Sequence, residues 1–170
     1  MEPQSKGQKI GEILLESGLL KREDLNKALE IQKTKGGLIG AILVNNGFLS
    51  EEDLAFALAK QFNYPYLSLD NVTVNRNLLK EYGGDFLVEN CFLPIEKTRD
   101  VLTIAIADPS DEDVIRNIQA KSPQSILAFV AGVRQIQEMI RRVFGNIKES
   151  NSGKSESILK KAAEDKMKEK

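Results

Sequence analysis

KIGEILLESGLL (residues 9–20) and LIGAILVNNGFL (38–49) are nearly the same apolar phrase, glycines included, set 29 residues apart. Sliding 10–32 over 39–61 gives identities at 12 of 23 positions, where unrelated sequence gives roughly one or two, so the segment is an internal duplication. The shared frame runs from Ile10, Gly11, Ile13 and Leu14 to Gln32, and again from Ile39, Gly40, Ile42 and Leu43 to Gln61. Ile10, Ile13 and Leu14 have helical spacing, Gly18 supplies a stop, and Leu25, Ala28 and Leu29 resume the same period. The second copy does the same with Gly47 and with Leu54, Ala57 and Leu58. Each copy is therefore expected to be a helix-turn-helix hairpin. Their start signals differ: Ser50 with Glu51, Glu52 and Asp53 reads as an N-cap and acidic first turn, whereas Lys21 stands at the equivalent place in the first copy.

The texture changes after Gln61. YPYLSLD (64–70) alternates as a short strand does, and NRNLLKEYGGDFLVENC (75–91) predicts a helix that Gly83 and Gly84 end or interrupt. FLPIEKTRDVLTIAIADP (92–109) is the clearest hairpin, two apolar runs around the polar turn KTRD, closed by Asp108-Pro109. A helix follows in DPSDEDVIRNIQA, a strand in SILAFVAG (125–132), and an amphipathic helix in VRQIQEMIRRVF (133–144). The predicted fold class is α+β: a tandem pair of helical hairpins over 9–62, then a small α/β subdomain with a mixed sheet over 63–145. Residues 1–8 read as a flexible N-terminus and 146–170 as a linker with a disordered or weakly helical tail.

At 170 residues the chain is long enough to bury a core without staples. It has no histidine and a single cysteine, which excludes intrachain disulfides and any Ser/His/Asp triad and removes the usual zinc ligand sets. Twenty-four basic and 25 acidic residues leave a net charge of −1, a poor basis for gripping DNA or RNA. MEPQSKGQK is not followed by a signal-like apolar run, and no stretch approaches the roughly 18 apolar residues of a membrane span. A cytoplasmic protein is expected, without direct membrane insertion, and able to reach the inner-membrane face through a partner.

NSGKS (151–155) suggests a phosphate loop, but Lys148 stands where the opening glycine belongs and no strand leads into it. The acidic run Asp108, Asp111, Glu112 and Asp113 reads as a turn and a helix start, with Ser110, Glu112 and Asp113 as the capping group. Cys91 reads as a buried, unreactive thiol. Gly11 and Gly40 sit near helix starts, where glycine costs about 1 kcal/mol relative to alanine. Either close helix packing or a ligand approaching exposed N–H groups accounts for them, and the sequence leaves both open.

Two 24-residue units with a five-residue spacer, followed by an α+β half containing ADP (107–109), resemble the MshEN domain, the N-terminal module of type II secretion and type IV pilus assembly ATPases. The resemblance covers residues 8–145. It implies a non-enzymatic cyclic di-GMP receptor or regulatory module, with no catalytic residue, metal or cofactor. Each frame would cup half of the dinucleotide. Carried over, the first frame is Lys9, Ile10, Gly11, Leu14, Gly18, Leu25, Ala28, Leu29 and Gln32. The second is Leu38, Ile39, Gly40, Leu43, Gly47, Leu54, Ala57, Leu58 and Gln61, with Asp108 as an accepting carboxylate near the site.

The family frame opens with arginine. Here it opens with Lys9 and then Leu38, which weakens guanine recognition, more so in the second half-site. The alternative is a docking adaptor of a secretion or pilus complex that binds no nucleotide. Either way the partner would be a protein of a secretion, pilus or polysaccharide system. The chain would be a fragment of a longer ATPase or a module acting through partners.

Overall fold

The computed structural model describes residues 9–145. The expected flexible N-terminus, the linker and tail, and the GKS stretch lie outside the described residues. Within them are eight helices and a three-stranded sheet, an α+β architecture. The chain parts into two compact units inside the fourth helix, one reaching Leu54 and the other starting at Ala55.

The first unit holds α1 (Ile10–Glu16), α2 (Arg22–Lys35), α3 (Ile39–Asn45) and the first turn of α4 (Glu51–Gln61). Both short helices end alike. After α1, Gly18 N–H donates to Leu15 O and Leu19 N–H to Leu14 O; after α3, Gly47 N–H donates to Val44 O and Phe48 N–H to Leu43 O. This is the Schellman stop, and Gly18 (φ +69°) and Gly47 (φ +73°) supply its left-handed residue. Gly18 and Gly47 therefore have a structural reason independent of any ligand. Ile13, Leu14, Leu20, Leu25, Ala28, Ile42, Leu43 and Leu49 are buried, the apolar faces anticipated by the repeat. Ser50 caps α4: its Oγ accepts from Asp53 N–H at 3.0 Å and donates to Asp53 Oδ2 at 2.6 Å. Lys21 makes no such cap at α2.

The second unit continues α4 through α5 (Arg76–Tyr82), α6 (Gly84–Glu89), β1 (Phe92–Lys97), β2 (Val101–Ile106), α7 (Glu112–Lys121), β3 (Ser125–Val130) and α8 (Val133–Phe144). The sheet is mixed: β1 pairs antiparallel with β2 and β2 parallel with β3, in the order β1-β2-β3. Its core joins Phe92, Leu102, Ile104, Ile106 and Val130 of the strands to Leu79, Leu87, Ile118, Ile136 and Ile140 of the helices. Ala55 and Ala59 of α4 belong to that same core, although the duplicated frame places α4 in the hairpin pattern. At the first copy's equivalent positions stand Asn26 and Glu30, both exposed. The copies share the hairpin's inner face and differ, polar groups against alanine, on the face that the second unit's core buries.

Several expectations are corrected. YPYLSLD forms no strand; only Tyr66 bridges Val130, through Val130 N–H to Pro65 O and Leu67 N–H to Val130 O. Its alternation records burial of Leu69 beside exposed Ser68 rather than a ladder. Helix α7 starts at Glu112, so its N-cap is Asp111, which accepts from Asp113 N–H, and not Ser110. Cys91 is half-buried rather than buried. It stands past the end of α6 with φ +44°, its N–H donating to Val88 O, so a helix stop has been written with cysteine.

Candidate functional site

Each duplicated frame begins one residue before a short helix. Lys9 (φ −62°, ψ 141°) and Leu38 (φ −77°, ψ 133°) occupy matching N-cap positions of α1 and α3, and neither side chain caps its helix. Both are exposed, Leu38 at 37%. An aligned backbone thus presents an ammonium group in one frame and an apolar side chain in the other.

One residue further in, Ile10 and Ile39 are half-buried, and then come the two glycines. A Cβ on Gly11 would stand 3.2 Å from Leu25 Cδ1 and from Leu25 Cδ2, and one on Gly40 only 2.8 Å from Leu54 Cδ1. The residue that fills the glycine's empty side-chain space is the leucine at the same frame position of the second helix in each hairpin. Close packing therefore accounts for both glycines, and it is tighter in the second copy.

The remaining frame residues separate by burial. Leu14, Leu43, Ala28 and Ala57 are fully buried, and Leu25 is buried at 8%. Leu14, Leu25, Ala28 and Leu43 lie in the interior of the first unit and Ala57 in that of the second. Leu54, Leu58, Gln32 and Gln61 are half-buried, while Leu29 is exposed at 37%. In the first unit the structure brings together Gly11 with Leu25, Gly40 with Leu54, and Gln32 with the spacer, where its Nε2 donates to Gly37 O at 2.8 Å. Ala57, Leu58, Gln61 and Asp108 belong to the second unit. Asp108 is half-buried and already engaged: Oδ1 accepts from Ser110 N–H at 2.9 Å and from Ser110 Oγ at 2.5 Å.

Residue patterns passed over three features. The Gly37 carbonyl is a fixed acceptor, signalled only by the double glycine between two helical runs. Lys27 Nζ lies 5.7 Å from the centre of the Phe48 ring, tying α2 to the turn after α3. Phe56, which replaces Lys27 in the second copy, is 44% exposed and meets Tyr66 edge to face with ring centres 5.9 Å apart. Substitution between copies was the available signal for the last two. Among the described residues no group of three or more carboxylates or thiols gathers as metal ligands, and no helix is long and apolar enough to cross a membrane.

The family model of the MshEN domain matches residues 62–150, which is 89 of the 170 residues. A type IV pilus assembly ATPase, PilB, of Myxococcus xanthus (strain DK1622) is 27% identical over 136 residues, 80% of this chain. The match spans 24% of that relative's length. Among solved structures, MshE solved with cyclic di-GMP superimposes with a TM-score of 0.66 at 27% identity, over 80% of this chain and 99% of that one. The N-terminal domain of XpsE superimposes in two crystal forms, with TM-scores of 0.64 and 0.52 at 26% and 29% identity. Each covers 84% of this chain, against 98% and 99% of the XpsE chains.

Proposed function

We propose that this chain, which belongs to the MshEN domain family, is a non-enzymatic receptor for cyclic di-GMP that reports the messenger to a type IV pilus, secretion or surface-polymer machine. The observation that carries the reading is the duplicated frame, 12 identities in 23 positions, in a chain similar to MshE solved with that ligand. Cyclic di-GMP consists of two identical halves. A duplicated frame offers one set of contacts twice, which is the economical way to hold such a molecule.

The groups offered suit the task. Leu29, Leu54 and Leu58, with Ile10 and Ile39, supply exposed or half-buried apolar surface for base faces. Gln32 and Gln61 carry donors and acceptors for base edges, Asp108 accepts from guanine N–H groups, and Lys9 supplies a cation for one half of the ligand. Leu14, Leu43 and Ala28 are fully buried in the first unit and Ala57 in the second, and Gly11 and Gly40 let Leu25 and Leu54 pack closely. Binding across both frames fixes them relative to one another, and a partner protein reads the fixed state.

Isothermal calorimetry with cyclic di-GMP tests the reading. A dissociation constant in the low micromolar range or tighter is expected, weakened about tenfold in Lys9→Ala, a loss of about 1.4 kcal/mol. Lys9 is exposed, so this variant keeps its fold. No heat at about 100 micromolar ligand would overturn the reading, because it excludes affinities stronger than about −5 to −6 kcal/mol.

A second reading, docking to a secretion or pilus component without nucleotide, rests on Leu38. An exposed leucine stands where the family frame carries a cation, and exposed apolar groups serve protein contacts. That reading predicts partner retention on an affinity column whether or not cyclic di-GMP is present; the receptor reading predicts a change.

A further inference from the structure

We infer that Gln32 is a positioning residue whose carboxamide latches the spacer between the two frames and so sets one half-site against the other. The inference rests on the receptor reading and gives the two frame glutamines different tasks.

At the end of α2, Gln32 engages consecutive glycines. Its backbone carbonyl accepts from Gly36 N–H at 2.9 Å, and its side-chain Nε2 donates to Gly37 O at 2.8 Å. Both glycines hold positive φ, +72° and +99°. The chain leaves α2 by a path that β-carbon-bearing residues resist, and the carboxamide closes over it. Leu38, the head of the second frame, follows directly, and α3 begins at Ile39. The latch thus stands between the two frames and ties the end of one to the start of the other.

The second copy does not repeat it. Adding 29 to Gly36 and Gly37 gives Pro65 and Tyr66. Proline has no N–H, so the bond that Gly36 N–H gives to the Gln32 carbonyl has no counterpart at the end of α4. Gln61 makes no side-chain hydrogen bond among the described residues. Its carboxamide keeps every donor and acceptor for a base edge. Gln32 has spent one N–H on the spacer.

A cyclic dinucleotide is rigid and needs its two half-sites at a fixed separation, whereas the linear dinucleotide pGpG, with one phosphodiester opened, adapts to either. Loss of the latch should therefore reduce the preference for the cyclic ligand, the advantage that preorganisation supplies. Loss of a base contact at Gln61 should weaken both ligands alike.

The test compares wild-type protein with Gln32→Ala, Gln32→Glu and Gln61→Ala. Affinities for cyclic di-GMP and for pGpG are measured by calorimetry, and amide hydrogen exchange over residues 36–42 is followed without ligand. Gln32→Glu points a carboxylate at the Gly37 carbonyl and must behave like the alanine variant if the latch is real. The expected result is faster exchange in both Gln32 variants and unchanged exchange in Gln61→Ala. With it, the cyclic-over-linear preference falls by about fivefold or more in the Gln32 variants alone. Equal losses for both ligands in Gln32→Ala, or unchanged exchange, would overturn the inference and make Gln32 an ordinary ligand contact or a bystander. A wild-type chain that binds neither ligand overturns the receptor reading and the positioning role with it, and the exchange rates then separate that result from a missing latch.

Discussion

Gly11 and Gly40 hold one frame position and differ in the room around them. At Gly11 an added methyl meets both Leu25 methyls at 3.2 Å, a contact the leucine relieves by a small shift. The helix gains about 1 kcal/mol from replacing glycine with alanine, so Gly11→Ala is expected within about 0.5 kcal/mol of wild type in urea denaturation. At Gly40 the methyl meets Leu54 Cδ1 at 2.8 Å, so Leu54 must move further than Leu25, and Gly40→Ala is expected to be less stable than Gly11→Ala by about 1 kcal/mol. The sequence showed glycine at both positions without showing why. Leu25 lies 14 residues after Gly11, beyond any local pattern, and the reason emerges only once two helices cross. Gln32 is a similar case: its type and spacing were visible, and the carbonyl that takes it was not.

Helix ends show what local chemistry makes legible. Gly18 and Gly47 were readable as stops because the left-handed residue of a Schellman end is most often glycine. The same device after α4 uses Asn63 (φ +58°), with Tyr64 N–H donating to Ala59 O at 2.8 Å, and there the signal was lost. Asn63→Gly should stabilise the protein by a few tenths of a kcal/mol to about 1 kcal/mol, since glycine meets no Cβ penalty at positive φ. Caps differ between copies in the same measurable way. Ser50→Ala should cost about 1 kcal/mol, and Lys21→Ser, at an extended N-cap backbone (φ −86°, ψ 146°), should gain about 0.5–1 kcal/mol. Chemical denaturation of the single variants reads all three. The hairpin β1-β2, the break at Gly83 and the span of α8 were legible from apolar period and turn residues. YPYLSLD was misread because alternation reports which side chains are buried, and a strand also needs a neighbour; the edge of β3 is met only at Val130.

For the whole molecule, duplication was the most informative sequence feature, because a 29-residue offset fixes helix number, order and frame together. It could not show that α4 is divided, with Leu54 in one unit and Ala55 in the other. Nothing local in EDLAFALA distinguishes a hairpin helix from one whose alanines complete a second core. That core depends on β2, so Ile104→Ala, at a fully buried position, should lose about 2–5 kcal/mol of thermal or chemical stability. Among the carried-over frame residues the copies differ only at their heads, Lys9 against Leu38, and agree at the buried residues that shape them. The duplicated architecture has been kept while its surface chemistry has drifted, so the account stands or falls on whether both copies still act on one ligand. The direct measurement is an amide NMR titration of the protein with cyclic di-GMP, following Gly11 and Gly40. The account predicts that both resonances move together and reach their end point at one ligand per chain. Movement confined to one frame, or no movement in either, would contradict it.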